Sequence, residues 1–290
     1  MRLACFDDYR IGVVVGDTVH DVTDVIDERW RGTPYAMTQL IAGFDALRPA
    51  VQAAVGRTAA TRALSRVRLL PPVPAPAHLF AAPLNYHAHV DEMTGSDMVG
   101  SAYVASSADK LGFFLKAPGS LVGASGAIEL PDLPGRSFHH EAELGVVIGK
   151  PARDVDEAAA LSSVFGYTCL MDITLRNQPG QTQERVMRKS FETFTPLGPV
   201  IVTADEVGDP TDLDIELWVG DELRQKTNTR LLIASVAQLI ADTSRVLTLR
   251  PGDVYATGTP EGVGPIEPGD TVRLRIARVG ELTMPVRARG

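Results

Sequence analysis

The chain opens on three short runs in which apolar and polar positions alternate, Arg2 to Phe6, Arg10 to Val15 and Thr18 to Val22, separated by Asp7-Asp8 and by the turn pair Gly16-Asp17. Alternation of period two is the mark of a half-buried strand, so the pattern predicts a small β meander. From Met37 to Arg68 alanine, leucine and arginine dominate. That stretch predicts two helices, broken near Arg48-Pro49 and near Gly56, because proline lacks a backbone donor and glycine is entropically costly in a helix. Pro71-Pro72-Val73-Pro74-Ala75-Pro76 then favours an extended linker. A boundary there divides the chain into a small N-terminal α/β domain, residues 1–70, and a larger domain, residues 71–290.

Beyond the boundary the pattern is mostly that of strands. Runs at His78 to Ala82, Phe113 to Lys116, Val146 to Ile148, Phe165 to Met171, Pro196 to Val202, Leu213 to Val219, Asp253 to Thr257, Thr271 to Ile276 and Leu282 to Val286 have the length and β-branched or aromatic content of sheet. Helices are few. One is expected after Asp154 or Asp156 as N-cap, one over Gln181 to Arg188, and one over Ser235 to Val246, where Val236, Leu239 and Ile240 share a side. Thr94 to Lys110 has glycines and serines and no apolar period, and reads as a long loop of the kind that serves as a lid. The fold class is therefore α+β and β-rich.

Acid interrupts this pattern where a core strand should run. Glu141 and Glu143 precede Val146 to Ile148 at alternate positions, so their side chains leave one face side by side. Two buried carboxylates repel, and such a pair is tolerated when a cation lies between them or one is held protonated. Asp172 follows the strand that ends at Met171 in matching surroundings. Three converging hard oxygen ligands suit Mg²⁺ or Mn²⁺ better than Zn²⁺ and leave about three octahedral positions for substrate and water. The alternative is an exposed edge strand with solvated glutamates, the usual place for charged residues.

Other side chains offer chemistry with bland alternatives beside it. His89 and Glu92 are three apart, so on a helical turn the carboxylate orients the imidazole, as in a general-base dyad or an ordinary surface pair. His139 shares parity with Glu141 and Glu143, whereas His140 points the other way, and either fits a satisfied core histidine. Lys116 and Lys189 each adjoin an apolar or aromatic run, where a lysine neutralises a substrate carboxylate or an oxyanion, or snorkels to the surface. The glycine-rich turn Gly258 to Gly264 presents backbone N–H groups as an anion nest. It lacks the Gly-Lys-Ser/Thr ending of a phosphate loop, and no dinucleotide fingerprint is present.

Composition narrows the classes. With 290 residues, 44% of them hydrophobic, the chain can bury a large core. Its 28 basic against 36 acidic residues give a formal charge of −8 with no basic tract, so nothing supports binding to nucleic acid or an anionic membrane. No apolar run approaches the ~20 residues of a membrane span, and acid at Asp7-Asp8 comes too early for a secretory h-region, so a cytoplasmic location is expected. Cys5 and Cys169 both fall in strand-like segments and read as small buried hydrophobes.

Taken in order, Asn85-Tyr86-x-x-His89-x-x-Glu92, Phe114-Leu115-Lys116, His139-His140-Glu141-x-Glu143-Leu144, Gly166-Tyr167-Thr168 with Asp172, Lys189-Ser190-Phe191, Pro196-Leu197-Gly198-Pro199, Pro251-Gly252-Asp253 and Gly258-Thr259-Pro260-x-Gly262-Val263-Gly264 resemble the fumarylacetoacetate hydrolase family. The resemblance covers about residues 74 to 286 and is nearer the acylpyruvase and isomerase branch. It implies a mixed β-roll catalytic domain, a homodimer, and Mg²⁺ or Mn²⁺ held by Glu141, Glu143 and Asp172. It also implies a small 2-oxo or 2,4-dioxo acid as substrate, with His89, Glu92 and Lys189 as catalytic residues and Tyr86, Lys116, Arg176, Gly258 and Thr259 as substrate-binding ones. In that reading the His89-Glu92 dyad activates water, which attacks the distal carbonyl of an acylpyruvate. The carbon–carbon bond breaks, and the departing pyruvate enolate is stabilised by the cation. An isomerase, decarboxylase or hydratase of 2-oxo dioic acids would use the same site, and a non-catalytic binding protein is the remaining alternative. Three departures stand out: Ala82 where hydrolases proper carry a further Asp, Asn177 and Pro179 where many members have Asp and Gln, and the long loop from Thr94 to Lys110.

Overall fold

The three N-terminal runs form the antiparallel meander Arg2–Phe6, Arg10–Val15 and Thr18–Asp21, and the meander continues into the main sheet. The computed structural model describes residues 1–56, 61–94, 106–178, 180 and 183–290. Residues 95–105 of the expected lid, Pro179, and residues 181–182 of the expected helix lie outside the described residues. Arg2–Phe6 pairs antiparallel with Thr195–Thr203, Leu3 opposite Ile201. From there the sheet runs through Val164–Met171, Ala142–Ile148, Val254–Ala256 and Leu79–Ala81 to Phe114–Leu115. Val254–Ala256 and Leu79–Ala81 are parallel and most other neighbours antiparallel, so this 11-stranded sheet is mixed.

Strand periodicity divides the sheet's side chains between two cores. On one face Leu79, Ala81, Val147, Leu170, Leu197 and Ile201 pack with Met37, Leu40, Ile41 and Phe44 of the helices Ala36–Ala42 and Phe44–Val55. On the other, Phe80, Leu144, Val146, Tyr167 and Cys169 pack with Ile215, Leu217, Leu274 and Leu282. These last come from a five-stranded sheet ordered Glu222–Asn228, Asp214–Val219, Thr271–Ile276, Gly280–Ala288 and Ile128–Leu130. The layers are therefore helices, large sheet and second sheet, an α+β and β-rich arrangement.

Local sequence accounts for most element ends. Asp156 caps Glu157–Ala160 by accepting from Ala159 N–H, and Ser235 caps Val236–Val246 by accepting from Gln238 N–H. One expectation is corrected. The N-terminal helices break at Gly43, and Pro49 lies inside Phe44–Val55. Gly43 leaves helical geometry at φ −102°, ψ 8°, whereas Pro49, in the middle of its helix, forfeits a single hydrogen bond, which packing of Phe44, Val51 and Ala54 outweighs. The second expected break, Gly56, does end the helix, and the chain then forms the short strand Thr61–Ala63. Cys5 and Cys169 are free thiols in the core, and burial raises both pKa values, that of Cys5 to about 12. Among the described residues no helix is long and apolar enough to cross a membrane.

Candidate metal centre

Pairing of the two central strands sets Glu143 opposite Leu170 and Ala142 opposite Met171. One step further Asp172 N–H donates to Glu141 O at 2.9 Å, which brings Asp172 level with Glu141. Carboxylate oxygens of Glu141, Glu143 and Asp172 lie within 4.8 Å of one another, and all three residues are buried. The exposed-edge alternative is thereby removed. Parity places the acids on the face that the N-terminal helices cover further along the same strands.

Cations from the chain surround this cluster unequally. Lys189 Nζ donates to Glu141 Oε2 at 2.6 Å, Asp172 Oδ2 at 2.5 Å and Thr174 Oγ1 at 2.8 Å. Lys116 is only 2% exposed and donates to Asp172 Oδ1 and, at 3.0 Å, to Phe194 O, so it is not a snorkelling surface lysine. Burial pushes its pKa down against the pull of Asp172. Arg176 Nη2 lies 2.8 Å from Glu141 Oε1 as an ion pair, with its N–H bonds aimed off that oxygen. Burial alone would raise Glu141, but Lys189, Arg176 and His89 outweigh it and hold the carboxyl below the usual range. Glu143 goes the other way: burial and then Asp172 drive its pKa well above the ordinary value, against Lys189 and the Gly258 N–H. Hard oxygen donors, three carboxyls at bonding separation and one of them short of positive charge fit a divalent cation.

The glycine-rich turn does hold carboxyl groups, and they are the protein's own. Gly258 N–H donates to Glu143 Oε2 at 2.6 Å, and Gly262 N–H donates to Glu92 Oε1 at 2.9 Å. Both glycines have positive φ, +95° and +88°, and a Cβ on Gly262 would lie 2.1 Å from Arg224 O. The other oxygen of Glu92 meets His89 Nδ1 at 2.8 Å on the helix His87–Thr94. A carboxylate at Nδ1 takes the N–H there and leaves Nε2 with a free lone pair.

One cavity joins these parts. Of the residues singled out from the sequence, His89, Glu141, Glu143, Arg176, Lys189 and Thr259 line it. Glu92, Asp172 and Gly258 stand behind that wall and touch lining residues. Lys116 and Tyr86 are not among the residues that line it. Tyr86 is buried with its hydroxyl unpartnered, and burial followed by Glu143 and Glu261 raises its pKa. The remaining lining includes apolar side chains, Ala82, Pro83, Leu84, Met93 and Phe114, and polar ones, Asn177, Gln183, Glu184, Arg185 and Arg188.

His139 and His140 are core histidines. Burial lowers His139 to about 3 and His140 to about 4, and they meet Ser137 Oγ at 3.0 Å and Gln225 Oε1 at 3.2 Å. Gln225, a supporting residue not expected from the sequence, also accepts from Ala142 N–H at 3.0 Å and donates to Thr259 Oγ1 at 2.8 Å. It thereby ties the acid-bearing strand to the Thr259 turn. Its strand, Glu222–Asn228, buries Gln225 and exposes Leu223, so alternation gave no signal.

A mixed sheet with a buried carboxylate triad and a histidine dyad on one cavity defines a protein built for a hard metal and a small ligand. Residues 78–287 match the family model for the fumarylacetoacetate (FAA) hydrolase C-terminal domain, and the chain belongs to that family. It is 39% identical over 292 residues to maleylpyruvate hydrolase of Aquipseudomonas alcaligenes, covering 99% of this chain and 100% of that one. A crystal structure of maleylpyruvate hydrolase from Sphingobium sp. SYK-6 in complex with manganese(II) ion and pyruvate is similar throughout, with TM-score 0.86, 43% identity and 100% coverage of both chains. A structure of 2-hydroxyhepta-2,4-diene-1,7-dioate isomerase from Mycobacterium marinum matches at TM-score 0.74 and 31% identity, over 100% of this chain and 99% of that one.

Proposed function

We propose that this chain is a divalent-metal-dependent hydrolase that cleaves a carbon–carbon bond of an acylpyruvate-like 2,4-dioxo acid. The observation that carries the reading is the opening of the His89-Glu92 dyad onto the same cavity as the carboxylate triad. Glu141, Glu143 and Asp172 would hold Mg²⁺ or Mn²⁺, which when bound supplies Lewis-acid polarisation to the oxygens of a 2-oxo acid. His89 Nε2 takes a proton from water, and Glu92, fixed by Gly262 N–H, stabilises the imidazolium. The resulting hydroxide attacks the distal carbonyl. The bond to pyruvate then breaks, and its electron pair leaves with pyruvate, where Lys189 supplies positive charge within the cavity. Thr259, held by Gln225, positions substrate on the other side.

The maleylpyruvate hydrolase relatives support hydrolysis, and the isomerase neighbour supports a second reading on the same residues. Product analysis by NMR separates them. Pyruvate plus a carboxylic acid, formed only with Mg²⁺ or Mn²⁺, is the expected result; unchanged mass means isomerisation, and loss of CO₂ means decarboxylation. Glu141→Gln and Asp172→Asn should each abolish metal-dependent turnover. Full activity in either variant would sink the proposal. The reading includes residues 1–70 as a supporting domain and a homodimeric assembly, and a monomer mass by light scattering would end the latter.

A further inference from the structure

Gln225 is only 1% exposed, and its amide spends every hydrogen-bonding position it has. A glutamine offers one oxygen with two lone pairs and one nitrogen with two N–H donors. Gln225 Oε1 accepts from Ala142 N–H at 3.0 Å and faces His140 Nδ1 at 3.2 Å. Gln225 Nε2 donates to Thr259 Oγ1 at 2.8 Å and to Pro260 O at 2.9 Å, with Glu261 O further off at 3.5 Å. These partners decide which end of the amide is which. A backbone N–H only donates and a carbonyl oxygen only accepts, so a flipped amide would set donor against donor at Ala142 and acceptor against acceptor at Pro260. Two groups able to take either role are thereby given one. His140 carries a proton on Nδ1, because Oε1 can only accept, and Thr259 Oγ1 accepts, because Nε2 can only donate.

Thr259 is left as a donor to the cavity. A hydroxyl has a single proton, and that of Thr259 is not spent on Gln225. Among the described residues Gln225 is the only partner of Thr259 Oγ1, and Thr259 lines the cavity together with His89, Glu141, Glu143 and Lys189. Gly258, one residue earlier, donates to Glu143 Oε2, so Thr259 starts about 3.8 Å, Cα to Cα, from the backbone that holds one acid of the triad. A 2-oxo acid brings to this place a carboxylate and a carbonyl, whose oxygens are acceptors only. A hydroxyl whose own oxygen already accepts a hydrogen bond is also the stronger donor, because successive hydrogen bonds polarise one another.

We propose that Gln225 is a positioning residue that fixes the Thr259 hydroxyl as a hydrogen-bond donor to the 2-oxo acid. The assignment rests on the reading of the cavity as a Mg²⁺ or Mn²⁺ site for such an acid, and its test is a binding measurement that needs no turnover. Oxalate is the probe, since its four oxygens are all acceptors. Calorimetric titration of the Mn²⁺-loaded protein compares the parent, Thr259→Val, Gln225→Glu and the double variant. Thr259→Val removes the donor and should weaken oxalate about 10–100-fold, the range for a hydrogen bond to a charged group. Gln225→Glu keeps the shape but puts an acceptor against Thr259, so the hydroxyl turns to the glutamate and a similar factor is lost. The double variant should bind within about twofold of Thr259→Val alone, because no hydroxyl remains to be directed. Thr259→Ser keeps a hydroxyl and should keep both the affinity and the sensitivity to Gln225→Glu. A glutamine that only supports the fold, or plain repulsion between oxalate and the new carboxylate, would cost the same factor in both backgrounds. That additivity overturns the assignment, and so does parental affinity in Gln225→Glu. If the glutamate variant does not fold, Gln225→Met runs the same cycle, and its loss too should vanish in the Thr259→Val background. A parent that takes up Mn²⁺ and does not bind oxalate overturns the reading of the site together with the assignment. A coupled cycle without acylpyruvate turnover overturns only the reaction class.

Discussion

Glu143 sits directly on the Gly258 turn, and among the described residues no ammonium is within ion-pair distance of it, whereas Lys189 reaches both other acids. Its charge is therefore the one that the protein alone does not support. Glu143→Gln keeps the shape and an acceptor for Gly258 N–H while removing the ionisable group. Metal-free protein carrying this change should melt at the same temperature or slightly higher, because a carboxyl kept from ionising has no charge to lose. The rise in Tm on adding Mn²⁺ should largely vanish, since ligand stabilisation of about 2.7 kcal/mol at a hundredfold excess over Kd depends on that affinity. Thermal scans with and without Mn²⁺ check both arms, and a parental response to Mn²⁺ would remove Glu143 from the ligand set. At this scale the triad was legible because two acids at period two beside a β-branched run can only share a face. The place of Lys116 was not, since the same four letters, Phe-Phe-Leu-Lys, suit a surface end and a buried one, and only Asp172 and Phe194 O decide.

Among elements, the turn from Gly258 to Gly264 couples the two halves of the site, holding Glu143 at one end and Glu92 at the other. Gly262→Ala should cost about 1–3 kcal/mol through its positive φ, and the collision with Arg224 O shifts the N–H that fixes Glu92. The expected kinetic result is a fall in kcat of about tenfold or more with the Mn²⁺-induced Tm shift preserved, because the dyad is disturbed and the triad is not. Loss of the metal response together with kcat would mean that the whole turn had moved. This turn was readable as a nest of N–H donors from its glycines, but which carboxyl groups it held depended on long-range pairing. Element boundaries followed local chemistry where caps were decisive, as at Asp156 and Ser235. They departed from it at Pro49, where packing outweighs one lost hydrogen bond, and at Glu222–Asn228, where the buried positions are polar because they support the site.

For the whole molecule, the layer order gives residues 1–70 a physical task. Their helices cover the face of the large sheet from which the acids project, and their first strand extends that sheet beside Thr195–Thr203. The apolar core on this face joins Met37, Leu40, Ile41 and Phe44 to Leu79, Val147, Phe165, Leu170, Leu197, Ile201 and Val254. Uncovering those seven side chains, at up to about 1.5–3 kcal/mol each, forfeits an amount comparable with the whole 5–15 kcal/mol stability of a typical domain. It also leaves the far end of Thr195–Thr203 unpaired, which invites association through the exposed edge. A chain reduced to residues 71–290 should therefore be recovered as aggregate, or as a species that binds a hydrophobic dye and gives no Mn²⁺-dependent Tm shift. Circular dichroism melting and light scattering on the shortened chain make the test. A soluble, cooperatively melting product that still responds to Mn²⁺ would show that the catalytic fold is self-sufficient and that the N-terminal layer serves some other end. The expected failure follows from the arrangement of the sheet: the strands that align Glu141, Glu143 and Asp172 are packed on one side by that layer, and the triad's spacing depends on their register.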